Sequence, residues 1–335
     1  MITDLPKEDD FKSSGTDYLN LAWSTLISLL RQLKEAQDVD KEYYEEESEE
    51  VKTPLVLDDE YWKKAQRPLS TALSLIQQGT EFLLKGHIAK VSPYLLISGD
   101  PSGYPRKSDK GDVRFSEFKT IDAQDLIRVY NTVSVNHLPP DFQQRFENLR
   151  SKRNTIMHTV DPKLFIDQKD LFIHILEICH CLIDPPESWI KIRRKFIQDE
   201  PQSVLLLLLE REEDRQDDRD AYQMNLEIDL VIKLVLEPSE TLKYFKFEKK
   251  QRRYICPVCY SRAFGEAYAQ AGLEDYIPRL AQLLVPNDPT NNSLYCIVCD
   301  ESSSVVREDC SVEDCKGNVI DYELCGICLT CGGSH

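Results

Sequence analysis

Cysteine placement constrains this chain more than any other feature. Nine of the eleven cysteines follow residue 255: Cys256, Cys259, Cys296, Cys299, Cys310, Cys315, Cys325, Cys328 and Cys331. A disulfide framework would be spread more evenly. Here the spacing C-x-x-C recurs, at Cys256-Pro-Val-Cys259, Cys296-Ile-Val-Cys299 and Cys325-Gly-Ile-Cys328. A tight turn of this kind points two thiolates at one tetrahedral ion, which is the signature of zinc. All-thiolate sites are closed, so the expected role is structural and no catalytic metal is expected. Two Zn2+ ions need eight ligands, which leaves one cysteine spare. One assignment gives Cys256, Cys259, Cys296 and Cys299 to the first ion and Cys310, Cys315, Cys328 and Cys331 to the second, with Cys325 spare. A crossed assignment pairs Cys296 and Cys299 with Cys325 and Cys328. Residues 251–335 are therefore expected to form a small zinc-binding domain, in a compartment where thiols stay reduced.

The remainder reads as mainly α-helical. Apolar residues recur at helical spacing over residues 16–37, 59–90, 122–133, 140–158 and 168–183. Pro68 predicts a kink or a boundary in the second stretch. Pro139 and Pro140 suit the start of the fourth. The loop 99–112 is dense in Gly, Pro, Ser and Asp. An acidic block from Asp38 to Glu50 reads as a solvated helix end or linker. Residues 187–247 are less legible: 188–196 and 204–220 suggest helices, whereas Leu226 to Leu236 is compatible with helix or strand. The expected organisation is an N-terminal helix and acidic linker (1–58), a helical domain with an extension (59–250) and the cysteine domain (251–335). The N-terminus lacks the basic start and apolar run of a signal peptide, and the longest aliphatic run, Val204 to Leu209, is too short to cross a bilayer. A cytoplasmic protein without a membrane partner is expected.

Formal charge is −17, from 41 Lys and Arg against 58 Asp and Glu. That balance opposes an electrostatic grip on nucleic acid by the whole surface, but not by a local cleft. The sequence has no Walker lysine loop, G-x-G-x-x-G fingerprint, G-x-S-x-G elbow or H-E-x-x-H, which argues against an ATPase, dehydrogenase, α/β-hydrolase or zincin.

The most informative short motif is Arg153-Asn154-Thr155-Ile156-Met157-His158. Asn154 and His158 lie one helical turn apart, and Arg153 is displaced around the axis. Histidine exchanges protons near neutral pH, and arginine offers a fork suited to phosphate oxygens. With the 2′-hydroxyl of RNA as nucleophile, such a set can cleave a phosphodiester without a metal. The motif resembles the R-x-x-x-x-H signature of the HEPN superfamily, with Asn in the second position. The stretch Gly79-Thr80-Glu81-Phe82-Leu83-Leu84-Lys85-Gly86 is similar to an earlier helix of those bundles, and the resemblance spans about residues 60–185.

That resemblance implies a HEPN-like helical bundle acting as a homodimer, whose two motif helices form one composite endoribonuclease cleft. Arg153 and His158 would be the family's Arg and His, and Asn154 its polar residue. Glu81 and Lys85 match a polar pair only loosely. A toxin or antiviral defence role follows, with an RNA substrate and an activator or inhibitor protein; the acidic block and the zinc module are candidates for that control. The competing reading is a non-catalytic helical adaptor whose zinc ribbon binds a protein or nucleic-acid partner. Two further groups are ambiguous. His174, Cys179, His180 and Cys181 read as core packing, and the basic run Lys191, Arg193, Arg194 and Lys195 as either an RNA path or a solvated face.

Overall fold

The computed structural model describes the chain except for residues 46–53, 101, 103, 106–110, 160, 162, 186, 202–218, 264–276 and 335, and the side chains of 39–45, 54–57 and 219. Two compact units result, Met1–Ser188 and Trp189–His335. The first is a helical bundle; the second joins helices to a small β and cysteine-rich region.

The bundle is built on two long antiparallel helices, α1 (Glu8–Glu45) and α3 (Gln66–Val91). Three acidic residues, Glu8, Asp9 and Asp10, occupy the first turn of α1, where negative charge suits the helix dipole. The Asp10 carboxylate also accepts the Lys7 amide (2.8 Å). Leu19, Ala22, Trp23, Leu26, Ile27, Leu30 and Leu33 recur at intervals of three and four, so one stripe of α1 is buried. It packs on α3, which buries Leu69, Leu73, Ile76, Leu83 and Leu84. The helices cross at Gly15 and Gly79, where a Cβ on Gly79 would lie 2.8 Å from the Gly15 carbonyl oxygen. Any side chain there would force the backbones apart. Trp23 meets Phe172 edge-on at 5.0 Å, a favourable aromatic geometry.

Helix α2 (Pro54–Lys64) ends one residue before α3 begins. Pro68 lies in the first turn of α3, where its missing N–H costs nothing, so the expected kink is a boundary. Helix α4 (Ala123–Val133) buries Leu126, Ile127 and Tyr130. Helix α5 (Pro140–His158) starts on the second proline and buries Phe142, Phe146 and Leu149. Helix α6 (Gln168–Leu182) is capped by the Asp167 carboxylate, which accepts the Asp170 amide at 3.1 Å. A short parallel pair, β1 (Ile2–Thr3) and β2 (Val113–Arg114), ties the N-terminus to the loop after α3.

The second unit begins with α7 (Trp189–Gln198) and α8 (Arg219–Leu234), followed by α9 (Pro238–Phe245) and α10 (Pro257–Ala263). The ambiguous stretch Leu226–Leu236 is thus helical up to Leu234; Met224, Ile228, Val231 and Ile232 are fully buried. Helix α8 packs on α7 and on α10. Residues 189–245 therefore belong with the cysteine region in one unit, and the expected 59–250 span crosses the division at 188. The predicted helix 204–220 falls almost wholly outside the described residues. Strands β3 (Ala281–Leu283), β4 (Ser293–Cys296) and β5 (Glu301–Ser304) form an antiparallel sheet, with Cys296 opposite both Ala281 and Glu301. Strands β6 (Ile320–Asp321) and β7 (Ile327–Cys328) form a second, smaller ladder.

Candidate functional site

Eight of the nine C-terminal cysteines fall into two sets. Cys256, Cys259, Cys296 and Cys299 converge, as do Cys310, Cys315, Cys328 and Cys331; within each set all sulfurs lie within 4.8 Å of one another. Individual Sγ···Sγ separations are 3.7 Å (Cys256–Cys299), 3.8 Å (Cys259–Cys296), 3.8 Å (Cys310–Cys331) and 3.9 Å (Cys315–Cys328). Zn–S bonds of about 2.3 Å in a tetrahedron give edges of about 3.8 Å. The sulfur cages therefore have the size of a zinc site before any ion is considered.

Local chain geometry explains the convergence. Cys256 precedes α10 and Cys259 lies in its first turn, with the Cys259 amide donating to the Cys256 sulfur (3.4 Å). Cys296 ends β4, and the turn to β5 presents Cys299; Asp300 there adopts φ 60°. In the second set, the amides of Val312, Gly317 and Gly333 donate to the sulfurs of Cys310, Cys315 and Cys331 at 3.3–3.4 Å. Hydrogen bonds from Cys256, Cys259 and Cys296 push the Cys299 thiol down, while hydrogen bonds within the same set push Cys256 and Cys296 up. The first set is almost fully buried; the second has Cys331 exposed.

The connectivity is the uncrossed one, and Cys325 joins neither set. Its sulfur donates to Asp321 Oδ2 (3.1 Å), and the amides of Leu324 and Cys325 donate to the same oxygen. Asp321 is 1% exposed. Burial and the neighbouring Asp321 carboxylate push the Cys325 thiol up to about 12, so it is held as a neutral donor.

The Arg153 motif closes α5 as expected, but its three residues do not converge within one chain. Arg153 and Asn154 line a polar groove of about 260 Å³ with Gln77 and Glu81 from α3, Asp122 and Gln124 at the start of α4, and Arg150. Arg153 Nη1 donates to Asn154 Oδ1 (3.2 Å), and Gln77 Nε2 to Glu81 Oε1 (3.1 Å). His158 is exposed and does not line this groove. Helix geometry gives the reason: five residues turn the helix by about 140° between Arg153 and His158. Leu149, about 180° from His158, is buried, so the histidine points away from the core. Ile156, seven residues after Leu149, is only half-buried. Gln77 was the groove residue least visible in the sequence; a polar residue inside the apolar stripe of α3 was its one signal.

A second cleft, of about 550 Å³, runs along the other side of α5, lined by Asp141, Arg145, Asn148, Lys152, Asp170 and His174 among others. Burial, together with Arg145 and Lys152 and against Glu177, holds the His174 imidazole down to about 4. Cys179, from the same predicted core group, is buried, whereas His180 is exposed. The lowered His174 value has a consequence for stability. Between the unfolded value near 6.5 and about 4, the unfolded chain takes a proton that the folded one excludes. Stability is then complete above pH 6.5 and falls as pH drops toward 4, by roughly 3 kcal/mol. Urea unfolding at pH 7.5 and 4.5 should show a larger loss for the wild type than for His174→Leu; equal losses would remove His174 as the cause.

Three cations of the basic run 191–195, and two of the basic stretch 243–253, are paired within the second unit. Arg193 is 1% exposed and paired with Glu227 through two bonds (3.0 and 2.9 Å). Arg194 pairs with Asp220 and Lys191 with Asp300, both at 2.7 Å. Lys249 donates to the Leu236 carbonyl and Arg252 to the Lys316 carbonyl. These pairings all lie within the second unit.

No helix among the described residues is long and apolar enough to cross a membrane. In comparison with known proteins, no family model, curated protein or solved structure matches the chain.

Proposed function

We propose that the chain is a binding protein: a helical adaptor carrying a zinc-ribbon-like unit that engages a protein or nucleic-acid partner. The two four-cysteine cages carry this reading. Each set supplies four thiolates and leaves no open position for a substrate, so its metal would brace a surface and perform no chemistry. The helices α7, α8 and α10 extend that braced surface within the same unit.

A second reading is favoured by the groove at the end of α5. The HEPN resemblance calls for Arg153 and Asn154 in a polar cleft near an earlier helix, and Glu81 of α3 lines the same groove. In that reading the protein is a metal-independent endoribonuclease of toxin or antiviral defence type. His158, exposed beside the exposed Met157, would enter the cleft of a second copy. It would then move the proton of the 2′-hydroxyl, while Arg153 stabilises charge on the phosphorus oxygens and Asn154 orients them.

One experiment separates the two. Zinc-loaded protein is incubated with total RNA in buffer without added divalent ions, beside Arg153→Ala and His158→Ala. The adaptor reading expects intact RNA from all three. The ribonuclease reading expects ends with 2′,3′-cyclic phosphate from the wild type, and cleavage at least about 100-fold slower from each variant.

A further inference from the structure

The cleft between α5 and α6 presents polar side chains that the fold itself does not use. Arg145 and Lys152 stand seven residues, about 10 Å, apart along α5, and both border the same space as His174 of α6. Gln144 and Asn148 add side-chain amides to its wall. Among the described residues, the side chains of Gln144, Arg145, Asn148 and His174 make no hydrogen bond or ion pair. Lys152 is held only at 3.9 Å, by an Asp170 carboxylate that is itself 56% exposed. Arg145 and His174 also border a small recess walled by Phe142, Phe146, Leu149 and Ile178, to which α3 contributes Thr80. The imidazole therefore stands where apolar packing ends and the open cleft begins.

Two carboxylates, Asp141 and Asp170, line the cleft as well. The charges that act on the imidazole are nevertheless Arg145 and Lys152, which disfavour its proton, against Glu177, which favours it. An anion seated between the two cations cancels their effect, so the ring can take a proton and become a third charged donor. A phosphate group suits this set better than a carboxylate. It carries up to two charges against one, and an ester still offers three oxygens against two. An arginine fork takes two of those oxygens, and a lysine acts as a point charge on the third. We propose that the α5–α6 cleft is a binding site for a phosphate ester, held by Arg145, Lys152 and His174 with the amides of Gln144 and Asn148. The site shares no residue with the Arg153 groove or the zinc cages, so the inference goes beyond both functional readings, and its test involves no cleavage.

The zinc-loaded full chain is titrated calorimetrically at pH 7 with inorganic phosphate, adenosine 5′-monophosphate and a four-uridine oligoribonucleotide. Binding at millimolar concentration or below is expected. Tightest binding of the monophosphate identifies a free nucleotide as the source of the ester, and tightest binding of the oligomer an RNA backbone. Arg145→Gln should weaken the best probe at least about tenfold, the loss of a charged hydrogen bond, and Lys152→Gln several-fold. Arg145 is exposed and Lys152 half-buried, so neither variant should shift the melting temperature. A second arm follows the histidine ring signals by NMR from pH 7.5 to 3.5, with His174→Gln to assign the resonance. Sulfate, a tetrahedral dianion throughout that range, should raise the His174 midpoint from about 4 to about 5 or above. Arg145→Gln should abolish the rise, which a merely structural arginine would not do. No binding of any probe at about 10 mM, undiminished binding by Arg145→Gln, or a His174 midpoint unmoved by sulfate would overturn the proposal.

Discussion

Cys296→Ser is expected to remove one metal ion per chain and, with it, the folded state of the cysteine-rich region. The sulfur of Cys296 is 1% exposed and stands among three others at the size of a zinc tetrahedron. Its backbone is paired with Ala281 on one side and Glu301 on the other, so ligand and sheet are the same residue. Little else supports this region: its strands are two to four residues long. Structural zinc contributes about 10–16 kcal/mol in small domains that lack a sufficient core, far more than five such short strands supply. Metal content by plasma mass spectrometry should fall from two ions to one, and the thermal transition of the C-terminal unit should broaden or vanish. Cys325→Ser is the internal control. Its sulfur donates to Asp321 and belongs to neither cage, and a serine hydroxyl can donate to the same carboxylate, so both ions should remain and the cost should be about 1 kcal/mol or less. Two ions retained in Cys296→Ser, or a C-terminal unit that stays folded in strong chelator, would contradict the assignment.

The second large effect lies at Arg193 and Glu227, each with a side chain 1% exposed. Their two parallel hydrogen bonds satisfy a charge pair taken entirely out of water. Removing one partner strands the other. Arg193→Met should cost about 3–5 kcal/mol, because the Glu227 carboxylate then keeps Gln223 Nε2 (2.8 Å) but loses its countercharge. The double variant Arg193→Met with Glu227→Leu should recover most of that loss, since a well-packed apolar pair of similar volume avoids desolvating either charge. Urea unfolding of the four proteins closes the cycle. Additive costs would show that the two charges do not depend on each other.

The helices of the first unit were legible because their apolar residues keep a spacing of three and four over several turns, and because prolines mark the starts of α3 and α5. The zinc cages were legible in residue type but not in connectivity, which depends on how β4, β7 and α10 meet. Residues 187–250 resisted because their decisive partners are remote in sequence. Arg193 and Arg194 sit in an exposed-looking basic run, and only the fold brings Glu227 and Asp220 to them. The Leu226–Leu236 stretch is apolar on several sides, so periodicity alone cannot tell a buried helix from a strand. The Arg153 groove was half legible. The motif identifies Arg153 and Asn154, but Gln77 and Asp122 come from other helix faces, and the turn of α5 takes His158 elsewhere.

The contact between Gly15 and Gly79 has a bearing on that groove. Gly79 stands midway between Gln77 and Glu81, two residues from each, and meets α1 backbone to backbone. The groove wall is thus clamped from behind by a helix that never lines it. Variation along α1 near Gly15 or Leu19 will register as a change in what the groove accepts, so remote sensitivity in the first helix is a built-in property of this bundle.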